Sequence, residues 1–363
     1  MRKGWLLVLL LVSISVVAGD SIQVEKAQQE QNWLQRTISG FTRIDENYVE
    51  PQHYDWSVML QATHTYDYYR LSTSGNNKQS VRFSPTPNFK VGPYFGWRWA
   101  FLGYTFDLKN IDVDSKSLKQ EIDFSFYSAQ IGADFYYRRT GSDYHISDVK
   151  ISNVDTSVLE GEAFDGISVG ITGLNVYYIF NHQRFSYPAA FNQSTRQKIS
   201  CGSWMTGLGY TRNSIDFDYD RLQNIFDERL SERTVKLDEG LKFNSVNYYN
   251  ISVSAGYAYN WVFAPYWLLA SSLSLALAYK KTRGISEDGD KHGFDFNNLN
   301  IDGIGRFGIV YNNDRFYAGA SAIVRAYNYR KSRFQANNVF GSLNIYVGYN
   351  FGLKKAYKQK KKP

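Results

Sequence analysis

Hydrophobic and polar residues alternate with a period of two along most of the chain. In 251–261 the residues Ile, Val, Ala, Tyr, Tyr and Trp at odd positions alternate with Ser, Ser, Gly, Ala and Asn. The same pattern recurs in 269–280, where Leu alternates with Ala and Ser, and again in 342–351. Successive side chains of a β-strand point to opposite faces. The pattern therefore predicts strands with one apolar, aromatic face and one small, polar face.

This template predicts twelve strands. They lie near 56–67, 86–97, 99–108, 118–128, 130–140, 171–182, 198–211, 245–260, 266–282, 296–311, 314–330 and 337–352. The connections alternate between short ones, such as 261–265 and 312–313, and long ones near 68–85, 141–170, 212–244 and 283–295. Short turns at one end and long loops at the other are typical of outer-membrane barrels. The exception is 183–197, a long connection on the short-turn side, which we expect to be ordered under the barrel floor.

The predicted fold is therefore an all-β, transmembrane antiparallel β-barrel of about twelve strands over residues 56–353. A soluble β-sandwich or a β-propeller is the alternative. Sandwiches end their strands in turns rich in Pro and Gly, and propellers repeat at a fixed length. The chain has only 7 Pro residues and shows no such repeat, which favours the barrel.

The N-terminus has the order of a secretory signal peptide. Arg2 and Lys3 precede an apolar run from Trp5 to Val17, and the small residues Ala18 and Gly19 follow. This order predicts export with cleavage after Ala18; an uncleaved anchor helix is the alternative. Residues 19–55 are predicted to be a periplasmic segment, partly helical because Trp33, Leu34, Ile38 and Phe41 recur at near-helical spacing.

Composition supports the barrel. The 363 residues include 29 Tyr, 24 Phe and 8 Trp, and such aromatics form girdles at both interfaces of membrane barrels. Cys201 is the sole cysteine, so no disulfide is expected within the chain, and the residue is interpreted as a small side chain of the wall.

The net charge of +7 lies at the ends of the chain. Two of the basic residues belong to the predicted signal peptide and six lysines lie in the tail 354–363, which leaves the body nearly neutral. We interpret the tail as a solvated periplasmic end, with contact to lipid headgroups or cell wall as the alternative. An exported chain is not expected to bind nucleic acid.

The last predicted strand carries alternating apolar residues that end in Phe351, which resembles the C-terminal signature read by the barrel insertion machinery. That signature ends most such chains, whereas here a lysine-rich tail follows it. The segments 99–104 (WAFLGY), 134–138 (DFYYR) and 185–191 (FSYPAAF) resemble an uncharacterised domain-of-unknown-function family of outer-membrane β-barrel proteins from Bacteroides-type bacteria. The resemblance covers nearly the whole mature chain and implies an envelope location without any known activity.

One spacing could carry chemistry. His145 and Ser147 have the His-x-Ser spacing that resembles outer-membrane lipid hydrolases, with Asn153 as an orienting group. Their flanks are interpreted as a polar loop rather than a barrel wall, so catalysis is only the alternative hypothesis. The other histidines are scattered, and we expect no enzyme activity, metal or cofactor.

The inward faces of the predicted strands carry the more informative residues. Charged side chains are costly against lipid, so these are expected to line the lumen: Lys90, Arg98, Asp107, Glu121, Asp123, Asp134, Arg138, Lys280, Asp302, Arg306 and Arg325. Six bases and five acids nearly cancel, which indicates internal ion pairs more than a selective pore. The expected role is a narrow channel for small polar solutes or a structural, surface-binding protein of the envelope. Its expected partners are outer-membrane lipid and lipopolysaccharide.

Overall fold

The structure is a computed structural model. It describes residues 44–73, 78–97, 100–103, 106–107, 120–140, 143–230, 235–282, 299–331 and 334–359. The chain divides into two compact units, Phe41–Leu353 and Met1–Gly40 with Lys354–Pro363. In the second unit the described part is a short helix within the lysine-rich tail, and the predicted N-terminal helix and signal peptide lie outside the described residues.

The unit Phe41–Leu353 is built almost entirely of antiparallel strands. In chain order these are β1 (Val49–Pro51), β2 (Tyr54–Thr73), β3 (Ser80–Pro85), β4 (Asn88–Trp97), β5 (Ala100–Gly103), β6 (Phe106–Asp107), β7 (Gln120–Tyr127), β8 (Ile131–Arg139), β9 (Tyr144–Lys150), β10 (Ala163–Phe164), β11 (Ile167–Ile179), β12 (Thr195–Gln197), β13 (Cys201–Phe217), β14 (Ser245–Ala264), β15 (Trp267–Thr282), β16 (Leu299–Asn312), β17 (Phe316–Lys331) and β18 (Phe334–Leu353). The α-helices of the described part of the chain are α1 (Tyr187–Phe191), α2 (Tyr219–Arg229) and α3 (Lys355–Gln359), and 3₁₀ turns span Ser157–Leu159 and Glu239–Leu241. Within the described residues, none of the helices is long and apolar enough to cross a membrane.

Within the described residues, twelve wall strands follow one another as a meander. Their order is β7, β8, β11, β13, β14, β15, β16, β17, β18, β2 and β4, with β5 and β6 both paired to β4 as one interrupted strand. Each lies within a few residues of a strand predicted from the alternation. Strand β18 pairs with β2 over nearly its full length and so joins the last strand to the first. Among the described residues no pairing joins β6 to β7, so the sheet is open at that seam.

The two faces of the wall differ as the alternation predicts. On β14 and β15 the odd-numbered side chains point outward and are exposed, for example Val253 at 58% and Leu275 at 56%, whereas Asn260 and Lys280 on the other face are 1% exposed. On β18 Ile345 and Val347 are likewise exposed. An apolar outside with a polar inside reverses the arrangement of a soluble protein and matches a membrane barrel.

The barrel has a turn end and a loop end. The turn end is the end where β2 begins and β18 ends, and its connections 128–130, 265–266 and 313–315 are short. At the opposite, loop end lie the connections between β2 and β4, β8 and β11, β13 and β14, and β15 and β16. This distribution is the one predicted, with the addition that β17 and β18 are joined at the loop end by two residues only.

The described parts of the connections from β2 to β4, from β8 to β11 and from β13 to β14 contain strands and a helix, which corrects the interpretation of the flanks of His145 and Ser147 as a polar loop. Strand β9 pairs with β3, β3 continues the sheet from β2, and β10 pairs with β9. Helix α2 is capped at its N-terminus by Asp218, whose side chain accepts a hydrogen bond from the Arg221 N–H. These elements form the cap. Their apolar side chains pack on inward residues of the wall at the loop end. The resulting core includes Phe83, Ile146, Phe164, Leu222 and Phe226.

The connection 183–197 folds into the turn end of the barrel. Ser186 caps α1 by accepting a hydrogen bond from the Ala189 N–H, and Pro188 occupies the first turn, where it costs no helical hydrogen bond. Strand β12 then pairs with β1, so that backbone hydrogen bonds join this connection to the segment that precedes β2. Residues 183–197 form the plug. Tyr187, Ala189 and Ala190 of the plug are almost fully buried.

Candidate functional site

The barrel interior holds the charged residues that the alternation assigned to the lumen. Six of them lie on inner faces with at most 3% of the residue exposed: Asp134, Arg138, Lys280, Asp302, Arg306 and Arg325. Lys90 is half-buried and lies at the same parity as the inward residues of β4. Arg98 and the side chains of Asp107, Glu121 and Asp123 lie outside the described part of the chain.

Arg306 and Asp134 form an ion pair across the lumen. Arg306 lies on β16 and Asp134 on β8, five strands away around the wall of twelve. The Ser125 hydroxyl donates to Asp134 Oδ1 at 2.7 Å, and the Arg306 guanidinium lies 5.3 Å from the Tyr177 ring centre. Buried charges are tolerated when they are paired and hydrogen-bonded. The pair therefore joins opposite sides of the barrel.

A second ion pair links neighbouring strands. Lys280 Nζ lies 2.7 Å from Asp302 Oδ1, and both side chains are 1% exposed. The Asn250 amide donates to Asp302 Oδ2 at 2.9 Å, and the Asn328 N–H donates to Oδ1 at 3.0 Å. Lys280 also donates to the Asn328 carbonyl oxygen. The carboxylate is thus held by three strands in addition to its own.

Aromatic residues complete the crossing of the lumen. The hydroxyls of Tyr136 on β8 and Tyr327 on β17 lie 2.6 Å apart, although these strands are six positions apart in the wall and therefore opposite each other. The Arg325 guanidinium lies 4.8 Å from the Tyr136 ring centre, and that of Arg138 lies 4.9 Å from the Phe340 ring centre. The charges on the inward faces did not point to these tyrosines, although Tyr136 shares the parity of Asp134.

The space left among these groups is small. A cavity of about 30 Å³ lies between the two ion pairs and is lined by Asp134, Asp302, Arg306 and Tyr327 with serines of β14 and β15. A buried water needs roughly 10 to 15 Å³ of such volume. This cavity has room for two or three waters at most, far less than a water-filled passage.

The plug contacts the wall through polar groups that point inward. The Tyr187 hydroxyl lies 2.7 Å from Ser272 Oγ and accepts a hydrogen bond from Arg306 Nη1 at 3.3 Å. Gln193 Nε2 donates to the Tyr346 hydroxyl at 2.7 Å, and Asn260 Nδ2 donates to the Ser186 carbonyl oxygen at 2.8 Å. The plug is therefore bonded to the same interior network as the cross-lumen ion pair.

A charged cluster fastens the plug region to the turn end. His53 Nδ1 lies 2.6 Å from Asp314 Oδ2, and its Nε2 lies 3.4 Å from Glu50 Oε1. Glu50 in turn forms an ion pair with Arg196 of β12. Burial raises the pKa of the Asp314 carboxyl above its ordinary value, and the neighbouring His53 opposes that rise. Among the described residues, no group of three or more His, Cys, Asp or Glu side chains is arranged to hold a metal ion.

The His-x-Ser pair lies on β9 in the cap and is not arranged as a nucleophile and base. Ser147 Oγ donates to the Arg82 carbonyl oxygen at 3.2 Å and accepts from Ser84 Oγ at 3.2 Å. Within the described residues no hydrogen bond joins His145 to Ser147. Asn153 lies in the turn after β9 with a φ of 60°. The two side chains share one face of a strand, as the spacing implied, but Ser147 is engaged by β3.

Comparisons with known proteins find one family and several distant folds. A family model described as "Domain of unknown function (DUF4421)" matches residues 43–351. No curated protein matches the sequence. Among solved structures, the outer membrane protease OmpT from Escherichia coli has a TM-score of 0.36 at 8% identity, covering 82% of this chain and 96% of that one. A bacterial polysaccharide outer membrane secretin has a TM-score of 0.31 at 10% identity, covering 82% of this chain and 99% of that one. The translocator domain of the autotransporter NalP from Neisseria meningitidis has a TM-score of 0.28 at 11% identity, covering 87% of this chain and 92% of that one. Scores this low carry no argument about activity.

Proposed function

The chain belongs to the DUF4421 family, and we propose that it is an outer-membrane β-barrel that conducts no solutes and acts as a structural and binding protein at the cell surface. The hydrogen bond between Tyr136 and Tyr327 carries this proposal, because it joins opposite walls of the barrel. A passage through the middle of the lumen would have to break it.

Two further closures support the proposal. The plug fills the turn end with buried side chains, and the cap covers the loop end with an apolar core. A channel would need polar, hydrated walls at both mouths. Of the two roles expected from the sequence, the structural and binding role therefore fits the described interior better than the narrow channel.

The outer surface supports the membrane location. Exposed apolar side chains cover the middle of β13 to β16 and of β18. Aromatic rings cluster at the turn end, where the ring centres of Trp56 and Phe95 lie 5.3 Å apart and those of Trp267 and Tyr311 also lie 5.3 Å apart. A bilayer favours this arrangement of an apolar band with an aromatic girdle. We propose export through the N-terminal signal, insertion through β18 with its terminal aromatic Phe351, and contact with lipid and lipopolysaccharide.

The cap is the part left to act at the surface. It consists of ordered strands and a helix rather than long polar loops, so it presents fixed side chains to the outside. Fixed surfaces lose little conformational entropy on binding. The cap is therefore suited to holding a partner or ligand at the cell surface.

Cysteine labelling tests the location and orientation. Cys201 is first replaced in Cys201→Ser, and exposed sites are then introduced as Asn224→Cys in the cap and Lys198→Cys beside the plug. A membrane-impermeant maleimide should label the cap site on intact cells and the plug site only after lysis. Labelling of both sites on intact cells, or of neither, would contradict the proposed orientation, and loss of heat-modifiable migration would contradict the barrel.

A further inference from the structure

Two different strands, β4 and β3, pair with the same edge of β2 at different heights. Strand β4 pairs with β2 up to Thr65, which lies opposite Asn88, and β3 pairs with β2 from Tyr69, which lies opposite Phe83. Within the described residues, neither strand pairs with residues 66–68. The wall therefore has a gap of three residues on this edge of β2.

The chain segment that could close this gap is held away from β2. The end of β3 pairs with β9, residues 86–87 connect β3 to β4, and the Thr86 N–H donates to the Asp143 carbonyl oxygen at 3.3 Å on the far side of β3. Pro85 and Pro87 have no N–H to offer to a neighbouring strand. The gap is thus built into the sequence of this connection.

A cavity of about 290 Å³ fills the gap. Its lining includes Asp67, Tyr68, Thr86, Pro87, Arg138 and His145. Thr86 and Pro87 are exposed at its mouth, whereas Arg138 is 3% exposed. Four consecutive residues of β2 and the connection to β4 line it, so the cavity lies at the gap in the wall. An apolar cavity of roughly 150 Å³ is enough to bind benzene.

The side chains of this cavity, which we call the window, offer hydrogen-bond donors to an anion. Arg138 and His145 line it. Asp67 is the acidic residue of the lining and equals Arg138 in charge, so an anion would be held by the donors of Arg138 and His145 and not by an excess of positive charge. Arginine is suited to planar recognition of carboxylate and phosphate groups.

The window lies at the height of the outer lipid headgroups. Trp56 belongs to the aromatic cluster at the turn end, and Tyr66 follows ten residues later on the same strand. Ten residues rise about 33 Å along a strand, or about 23 Å when the strand is tilted by about 45°. That distance is close to the apolar band of about 25 Å that such barrels present to lipid.

We propose that the window binds the anionic headgroup of an outer-leaflet amphiphile, a phosphate or carboxylate that enters from the side and is held by Arg138 and His145. This inference rests on the proposed function for the membrane location and gives its binding role a ligand class. It does not require any passage through the lumen.

Native mass spectrometry in a non-ionic detergent tests the window, with dodecyl phosphate and inorganic phosphate as separate probes. The natural protein should bind one dodecyl phosphate. Thr86→Trp, which fills the mouth, should weaken binding at least tenfold, and Lys150→Trp, an exposed site on β9 away from the cavity, should bind as the natural protein does. Arg138→Met should weaken binding similarly. If that variant does not fold, Thr86→Trp decides the question.

Each outcome bears on one part of the inference. Absence of dodecyl phosphate binding, or equal binding by the natural protein and Thr86→Trp, overturns the site. Inorganic phosphate binding as tightly as dodecyl phosphate overturns the lipid source. Neither result concerns the closed lumen, and a conducting lumen would leave the binding result unchanged, so the two proposals fail separately.

Discussion

Arg306 and Asp134 form an ion pair from strands that lie five positions apart around the wall, with 3% and 0% of their side chains exposed. The same arginine donates to the Tyr187 hydroxyl of the plug. One side chain therefore connects both sides of the barrel and the element that closes its turn end. Loss of this connection should be visible in stability as well as in conductance.

Removing the arginine should leave a buried charge without its counter-ion. We expect Arg306→Met to lower the free energy of unfolding by about 3 to 5 kcal/mol, because Asp134 stays desolvated. A urea titration measures this free energy, with the fraction of protein in the folded, heat-modifiable band as the readout. The double variant Arg306→Met with Asp134→Leu should recover much of the loss, and an equal or larger loss in the double variant would contradict the account.

Tyrosine rings that lie over glycines should make those glycines sensitive to substitution. A Cβ at Gly348 would come within 2.1 Å of Tyr317, whose hydroxyl lies 2.7 Å from Ser57 Oγ. Gly348→Ala should therefore displace the ring and cost about 1 to 3 kcal/mol. Gly305→Ala is the matched control, since its nearest neighbour lies 3.5 Å away in Phe307. Equal stability of both variants in urea would argue against the packing described.

The outward face should reject charge according to its depth in the membrane. Leu275 is 56% exposed near the middle of β15. In lipid vesicles Leu275→Arg should cost about 2 to 4 kcal/mol more than Leu275→Ala, because the guanidinium would lie near the bilayer midplane. The difference between the two unfolding free energies isolates the charge. A difference near zero would mean that this face does not contact lipid.

The His-x-Ser pair should prove to be structural. Ser147→Ala removes hydrogen bonds to Arg82 and Ser84 of β3, which should cost about 0.5 to 1.5 kcal/mol per bond. Hydrolysis of a p-nitrophenyl ester by the purified protein should stay at background in both forms. Hydrolysis that Ser147→Ala abolishes would restore the lipid-hydrolase hypothesis.

The walls of the barrel were predictable because their signal is local. Leu273, Leu275 and Leu277 alternate with small residues, and that alternation assigns a face without reference to any other strand. It also assigns Asp134 and Arg306 to the interior. It cannot show that these two side chains contact each other. Parity tells which face of its strand a side chain lies on, but it does not tell which side chains meet across the lumen.

The cap and the plug show where alternation fails. In β9 Tyr144, Ile146 and Val149 point inward, and the irregularity in the pairing of β3 with β9 between Arg82 and Phe83 breaks the period of two, so the strand resembled a loop in sequence. The plug had a usable signal in Ser186 followed by Pro188, which marks a helix start. Its position inside the barrel depends on contacts with distant strands and was not visible in that signal.

Single-channel recording in planar bilayers tests the closed lumen most directly. The protein is added in its folded form, as shown by heat-modifiable migration, and a porin added to the same membranes serves as the positive control. The contacts between Tyr136 and Tyr327 and between Arg306 and Asp134 predict no discrete conductance steps from this protein while the porin conducts. Reproducible steps from the natural protein would contradict the closed lumen.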